Sequence, residues 1–408
     1  MKIYTTILIF LRQTMHNIIK DFSIPAVFAG FITFLIGISV SSVLVIQAAQ
    51  ILGANPDQIS SWFWALGLGI GVSGLLLSAW FKYPVATSWS TAGLALIIAT
   101  GSGYTLYEAI GAFLICGLLT ATLGFLGVFE KLLKYIPQSL TSAMLAGVLL
   151  KFGIAVFAQL NHEWAFILIL LSVYIISKKA AQRYCIVITL LAGFVICPYF
   201  MVWNIPALDF HLTQPVWMQP TFTWSAILGL ALPLFLINMA SQYLPGIAMI
   251  KSYGYTPHVK YLIGWTGVAQ TLLAPFGAFS TNIAAISAAV SLDDQVHPDP
   301  KKRYIAGISS GFFYILTGLF ATTLTTFLMS FPTVFMIALA GIALFATIGH
   351  NIAQAFSQTH EREAALMTFL FSASGVQFFG IGSAFWGLLF GFAVYLIFKV
   401  KSKSKTHE

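Results

Sequence analysis

Apolar runs of about 18 or more residues recur from one end of the chain to the other, and each is long enough to cross a bilayer as a helix. The run from Ala109 to Phe129, AIGAFLICGLLTATLGFLGVF, lacks the strict alternation that a strand of a membrane β-barrel needs. Only 8% of the residues are charged and 59% are hydrophobic, against about 25% charged in soluble domains, so no water-facing surface can be built. The chain reads as an all-α polytopic membrane protein. A soluble enzyme, a nucleic-acid-binding domain and a disulfide scaffold are excluded together. The formal charge of +8 is then a statement about topology, not about nucleic acid. Cys116, Cys185 and Cys197 lie in apolar runs without paired spacing, which indicates neither disulfides nor a metal site.

Breaks at Pro, Gly and charge clusters divide the chain into an interfacial N-terminal segment (1–24), a first group of seven spans (25–203), a connecting loop (204–221), a second group of seven spans (222–398) and a basic tail (399–408). With the N-terminus in the cytoplasm and 14 alternating crossings, all of the 20 Lys and Arg except Lys151 fall on the cytoplasmic side. Removing either weak span, 84–101 or 275–291, reverses every later loop and destroys that pattern, so both are expected to cross. Both termini are then cytoplasmic and the 204–221 loop external.

The two groups repeat one another. Gly53, Pro56 and Trp64 recur with the same spacing as Gly254, Pro257 and Trp265. PVATSWST (Pro84 to Thr91) answers PFGAFST (Pro275 to Thr281), and MLAGVLL (Met144 to Leu150) answers ALAGIAL (Ala338 to Leu344), in the same order. Because seven is odd, the second copy enters from the opposite side, which makes a 7+7 inverted repeat, a transporter architecture.

Such repeats hold substrate near the midplane, where discontinuous helices expose backbone groups to a cavity. The two weak spans, the third and tenth, each open with Pro, continue with poor helix formers and carry a Ser-Thr pair before becoming helical. The expectation is two half-helices with Ser90 and Thr91, and Ser280, Thr281 and Asn282, at opposed N-termini, a dipolar site suited to a small anion. Small polar residues that only allow close helix packing are the alternative. Asn238 and Gln242 lie four residues apart on one face of the eighth span near Pro245, as interhelical glue or as ligand contacts. Three ionisable residues in spans are candidates for proton coupling or charge pairing: Lys151 deep in the fifth, His350 in the twelfth and Glu108 in the fourth, with Lys151 pairing with Glu108 as one option. No phosphate loop, metal-ligand spacing or catalytic constellation is present in the sequence, so the chain is read as no enzyme, with no metal and no cofactor; uphill transport must draw on an ion gradient.

YPVATSWSTAGLALI (Tyr83 to Ile97), MLAGVLLKFG (Met144 to Gly153) and APFGAFSTNIAAISAA (Ala274 to Ala289) resemble signature segments of the BenE family of benzoate/proton symporters, over essentially the whole chain. That family is similar to the uracil permease and the sulfate transporters, whose seven-plus-seven repeat divides into core and gate domains. The resemblance implies a core of 25–128 and 222–329 and a gate of 137–203 and 332–398. It also implies import of benzoate or a similar aromatic carboxylate with a proton, across a bacterial inner membrane, by a lipid-embedded protein with a homodimer as its candidate assembly. Where nucleobase carriers place carboxylates on spans eight and ten, this sequence has Asn238, Gln242, Thr281 and Asn282, which argues against a nucleobase and leaves the usual proton-carrying acid unassigned. Trp89, Phe276 and Phe279 adjoin the expected half-helix termini and would face the substrate ring. A transporter or channel for another small anion, or a nucleobase permease-like carrier, is the competing reading.

Overall fold

The computed structural model describes residues 19–128, 137–204, 206–284 and 287–404. The long helices are α1 (Ile24–Ile51), α2 (Pro56–Phe81), α4 (Leu106–Leu126), α5 (Gln138–Ala158), α6 (Leu160–Ala180), α8 (Trp224–Ser252) and α13 (Thr333–Ala355), with the half-length α3 (Thr91–Thr100) between α2 and α4 and α7 (Cys185–Phe200) after α6. The second half adds α9 (Val259–Leu273), the short α10 (Ala288–Leu292), α11 (Tyr304–Leu319), α12 (Ala321–Met329), α14 (Arg362–Ser374) and α15 (Ser383–Ser404). By length and composition, 7 of the described helices can cross a membrane alone, and α11 with α12 makes an eighth if that bent pair is one span. The other expected crossings are occupied by shorter helices or broken stretches. Of the expected N-terminal interfacial segment, residues 1–18 lie outside the described residues; at the other end, α15 carries on into the expected tail.

The sequence repeat has a structural counterpart. Gly53 and Gly254 both adopt φ +82°, the left-handed conformation that glycine takes without steric cost. After α1, Gly53 N–H donates to Gln50 C=O (2.9 Å) and Ala54 N–H to Ala49 C=O (3.0 Å); after α8, Gly254 N–H donates to Lys251 C=O (3.0 Å) and Tyr255 N–H to Ile250 C=O (3.4 Å). Both are Schellman caps, satisfying carbonyls that a helix end leaves orphaned. The following proline, Pro56 or Pro257, cannot continue the first helix and stands at or just before the next.

Packing repeats as well. Helix α2 lies along α11, and α9 along α4, the pairing that an inverted repeat generates from one interface. Each is closed by small residues: Gly71 against the carbonyl of Gly311, and Gly124 against the backbone of Gly264, leave no room for a Cβ. Helices α1 to α4 and α8 to α11 pack as one group, and α5 with α13, α14 and α15 as another. Apolar side chains such as Ile175, Ile176, Leu191 and Val195 point outward from α6 and α7, as a lipid-facing surface requires.

Two stretches depart from the sequence expectation. The eleventh span, expected as one helix over 304–329, bends by 74° between α11 and α12, where Phe320 leaves helical geometry at φ −107°, ψ 28°. In the tenth, helix does not begin at Ser280 to Asn282; the chain there is extended, and α10 starts only at Ala288. At one end of the core group, Lys82 caps α2 with φ +58° and sets its ammonium 4.1 Å from the Tyr304 ring centroid. Burial pulls the Lys82 pKa below its ordinary value, against the opposing pull of Asp21.

Candidate functional site

The third and tenth spans meet as a pair of extended strands. Pro84 stops helix formation after α2, and the chain runs on through β1 (Thr87–Ser88), which pairs antiparallel with β2 (Asn282–Ile283). Thr87 stands opposite Ile283 and Ser88 opposite Asn282. Ala284 N–H donates to Ala86 C=O (2.8 Å), lengthening the pairing. Side chains satisfy the rest: Ser78 Oγ accepts from Val85 N–H (2.9 Å), and the Thr87 hydroxyl donates to Ile70 C=O (2.7 Å). Non-helical backbone at membrane depth survives only when buried in protein, and here the strand partners come from the other repeat and the side-chain partners from α2 of the same one.

Ser90 closes the first strand and opens α3. Its Oγ accepts from Gly93 N–H (2.9 Å), an N-cap, and its own N–H donates to Ser280 Oγ (2.9 Å). On this side Ser90 and Ser280 satisfy one another, and the buried Tyr314 hydroxyl is the polar atom left without a hydrogen bond among the described residues. The Trp89 indole donates to Ser41 Oγ, and its ring stands edge-on to Phe63 and Tyr314.

The opposite side differs. Gln270 on α9 donates through Nε2 to the carbonyls of Phe113 (3.1 Å) and Phe279 (2.9 Å), joining α9, α4 and the stretch that leads into β2. Tyr243 on α8 donates to Thr281 C=O (3.0 Å) and shares a hydrogen bond with the Thr266 hydroxyl (2.7 Å). Around this frame, Gln270 Oε1, Asn238 Oδ1, Thr281 Oγ1, Trp62 Nε1 and both amide atoms of Asn282 have no hydrogen-bond partner among the described residues. All five side chains are 0% exposed. Polar groups buried so completely are paired with protein, water or ligand in native structures, because an unmade bond there costs about 1–3 kcal/mol.

An aromatic wall adjoins them. Trp62, Phe113 and Phe279 form a triangle, with ring centroids 5.5 Å apart for Trp62 and Phe113 and 6.2 Å for each of the other two pairs. Gly277 makes room for it: at φ +105°, a Cβ there would lie 2.0 Å from the indole Cδ1 of Trp62. The eighth span contributes through two π-turns, Ile227–Ala231 and Met239–Tyr243. Each includes or adjoins the carbonyl that Pro233 or Pro245, lacking an N–H, cannot pair. Asn238 precedes the second π-turn, with Nδ2 4.0 Å from Cys116 Sγ on α4.

Of the residues singled out in the sequence, Ser90, Asn238, Ser280, Thr281, Asn282, Trp89 and Phe279 are all buried around this crossing. Thr91 is half-buried as the first residue of α3, and Gln242 is half-buried on the π-turn. Phe276 stands apart, edge-on to Trp64 and to Trp217 of the connecting loop. The three ionisable candidates are not brought to the crossing. Lys151 is exposed and reaches Ala99 C=O at the end of α3 (3.5 Å). Glu108 forms a capping box with Thr105 at the start of α4 rather than pairing with Lys151. His350 lies on an exposed face of α13, beside Asn351, whose amide donates back to Thr347 C=O (2.8 Å). Sequence reading passed over Trp62, Phe113, Tyr243 and Gln270. The signal for Gln270 was available, as an amide inside an apolar span.

Comparison with known proteins decides the family. The family model described as benzoate membrane transport protein, BenE, matches residues 20–397. The chain belongs to the BenE family. It is 42% identical over 375 residues to inner membrane protein YdcO of Escherichia coli, covering 91% of this chain and 95% of that one. It is 36% identical over 378 residues to the benzoate membrane transport protein of Acinetobacter baylyi, covering 93% and 96%. Among solved structures, the transmembrane domain of the cyanobacterial bicarbonate transporter BicA is similar at 13% identity and TM-score 0.61, covering 92% of this chain and 97% of that one. SLC26A9 is similar at 14% identity and TM-score 0.63, covering 94% and 66%. These structures share the fold. This BenE-family chain is a multi-pass membrane transport protein, not an enzyme.

Proposed function

We propose that this BenE-family protein is a secondary transporter that imports benzoate or a closely similar aromatic carboxylate together with a proton, across the inner membrane of a bacterium. The observation that carries the reading is the juxtaposition at the strand crossing: a triangle of aromatic rings beside a set of fully buried, unpartnered polar groups. A benzene ring is complementary to the first and a carboxyl group to the second. The names of the family and of the Acinetobacter relative point the same way. Bicarbonate, the substrate named for BicA, has no ring to set against Trp62, Phe113 and Phe279.

In this reading the strand crossing belongs to a core, 25–128 and 222–329, that moves against a gate of 137–203 and 332–398, exposing the site to each side in turn. Fourteen crossings place both termini in the cytoplasm and the 204–221 loop outside. Uptake of radiolabelled benzoate into proteoliposomes tests the function. The parent protein should accumulate it and Asn282→Leu should take it up markedly more slowly at low benzoate concentration; equal uptake by both would place the site elsewhere, and uptake by neither would exclude benzoate as the substrate.

A further inference from the structure

The buried site has a property that a carboxylate carrier does not need. Its unpartnered atoms include three amide oxygens that can only accept, Gln270 Oε1, Asn238 Oδ1 and Asn282 Oδ1, beside the donors Asn282 Nδ2 and Trp62 Nε1 and the Thr281 hydroxyl, which can do either. The orientation of Gln270 is fixed, because its Nε2 donates to two carbonyls, so Oε1 is an acceptor edge. Asn282 presents one donor and one acceptor whichever way its amide is turned. A carboxylate only accepts. It would set its charge among these oxygens and leave them without a donor.

Among the described residues no cation offsets that charge. The charged residues of the helices packed around the site stand at or just beyond helix ends: Asp57 and Lys82 on α2, Glu108 on α4, Lys251 on α8, Lys260 on α9 and Arg303 ahead of α11. Lys151 of α5 is directed to Ala99 C=O. The titratable groups facing the site are the Cys116 thiol beside Asn238, the Tyr243 phenol on Thr281 C=O and, behind Trp89, the Tyr314 phenol. Thiols and phenols carry their protons at neutral pH. No described side chain there is an acid or an imidazole that could accept a coupling proton.

We propose that the substrate occupies this site as the neutral carboxylic acid, paired through two parallel hydrogen bonds with the Asn282 amide, so that the transported proton rides on the substrate. The acid O–H donates to Oδ1 and its carbonyl accepts from Nδ2. This rests on the aromatic-carboxylate reading above and names the protonation state that the site selects. On the outer side, a hydronium O–H bond breaks, the carboxylate O–H bond forms and water is left. On the inner side the acid O–H breaks and its proton passes to water. One carboxylate and one proton cross per cycle, with no net charge and no ionisable residue of the protein taking part.

Binding to the purified full-length protein in detergent tests this. Aromatic carboxylic acids titrate near pH 4, as side-chain carboxyls do, so the neutral fraction falls tenfold per pH unit above that. The apparent dissociation constant for total benzoate should therefore rise about 100-fold from about pH 5.5 to about pH 7.5. Benzamide, neutral throughout with the same donor-and-acceptor edge, should bind with an affinity that does not change over that range. At one pH, ring-fluorinated benzoates, nearly isosteric but stronger acids, should bind more weakly in proportion to their acidity; a proton carried by the protein would make the pH profile the same for all of them. Benzoate affinity constant across the range, or benzamide failing to compete, would overturn the neutral-acid proposal while leaving the site in place. Unchanged benzoate binding by Asn282→Leu would overturn the site itself, and the proposal with it.

Discussion

Replacing Asn282 by Leu should move stability and binding in opposite directions. Leucine keeps the length and the branch at Cγ but removes an amide that is 0% exposed and has neither atom paired among the described residues. Burying an amide without hydrogen bonds costs about 1–3 kcal/mol by mutational measures, so its removal should stabilise the substrate-free protein by a similar amount. For a chain of this size that is a rise of a few degrees in apparent melting temperature. The same change deletes two hydrogen bonds to the substrate, at about 0.5–1.5 kcal/mol each, and should weaken binding by roughly 5- to 150-fold. Thermal unfolding in detergent with and without benzoate reads both effects: the variant should melt higher alone and lose most of the shift that benzoate gives the parent. A variant that melts several degrees lower yet binds benzoate normally would make Asn282 a structural residue, and the reasoning from unpartnered buried atoms would fail.

Gly277→Ala meets two penalties, a φ of +105° and a Cβ 2.0 Å from the Trp62 indole; it should destabilise by about 2 kcal/mol or more and abolish benzoate binding, where a normal melting temperature would contradict the packing. Ser90→Ala removes the α3 N-cap at a cost of about 0.5–2 kcal/mol. Ser280→Ala strands the buried Ser90 N–H and should cost at least as much, about 1–3 kcal/mol; melting curves of the pair check that order. Cysteine placed at Asp209 should react with an impermeant thiol reagent in intact cells and cysteine at Lys179 should not, and reaction at Lys179 would reverse the proposed topology.

Features set by local physics were legible in the sequence. The Gly53 and Gly254 caps follow from a glycine that can adopt positive φ, followed three residues later by a proline. The breaks after Pro84 and Pro275 follow from the missing N–H and from poor helix formers. What the sequence concealed depends on distant partners. Asn282 was expected at a helix N-terminus because Ser-Thr pairs commonly cap helices, but pairing with Ser88, about 190 residues away, holds it in a strand. No sequence-local rule anticipates that. Trp62 reads as an ordinary aromatic near a span end, and its place against Phe113 and Phe279 depends on Gly277 of the other repeat. The bend at Phe320 follows Gly318 by two residues, and one glycine inside an apolar run does not by itself announce a bend of 74°.

Coupled, electroneutral import is the central claim, and the driving force can be varied directly. Proteoliposomes holding the parent protein, matched to liposomes holding Asn282→Leu so that passive permeation of the acid is subtracted, should take up radiolabelled benzoate when the outside is made acidic. They should take up none when a potassium diffusion potential, inside negative, is imposed at equal pH. Accumulation driven by the potential alone, or parent and variant rates that coincide under the pH gradient, would contradict proton-coupled carriage through this site.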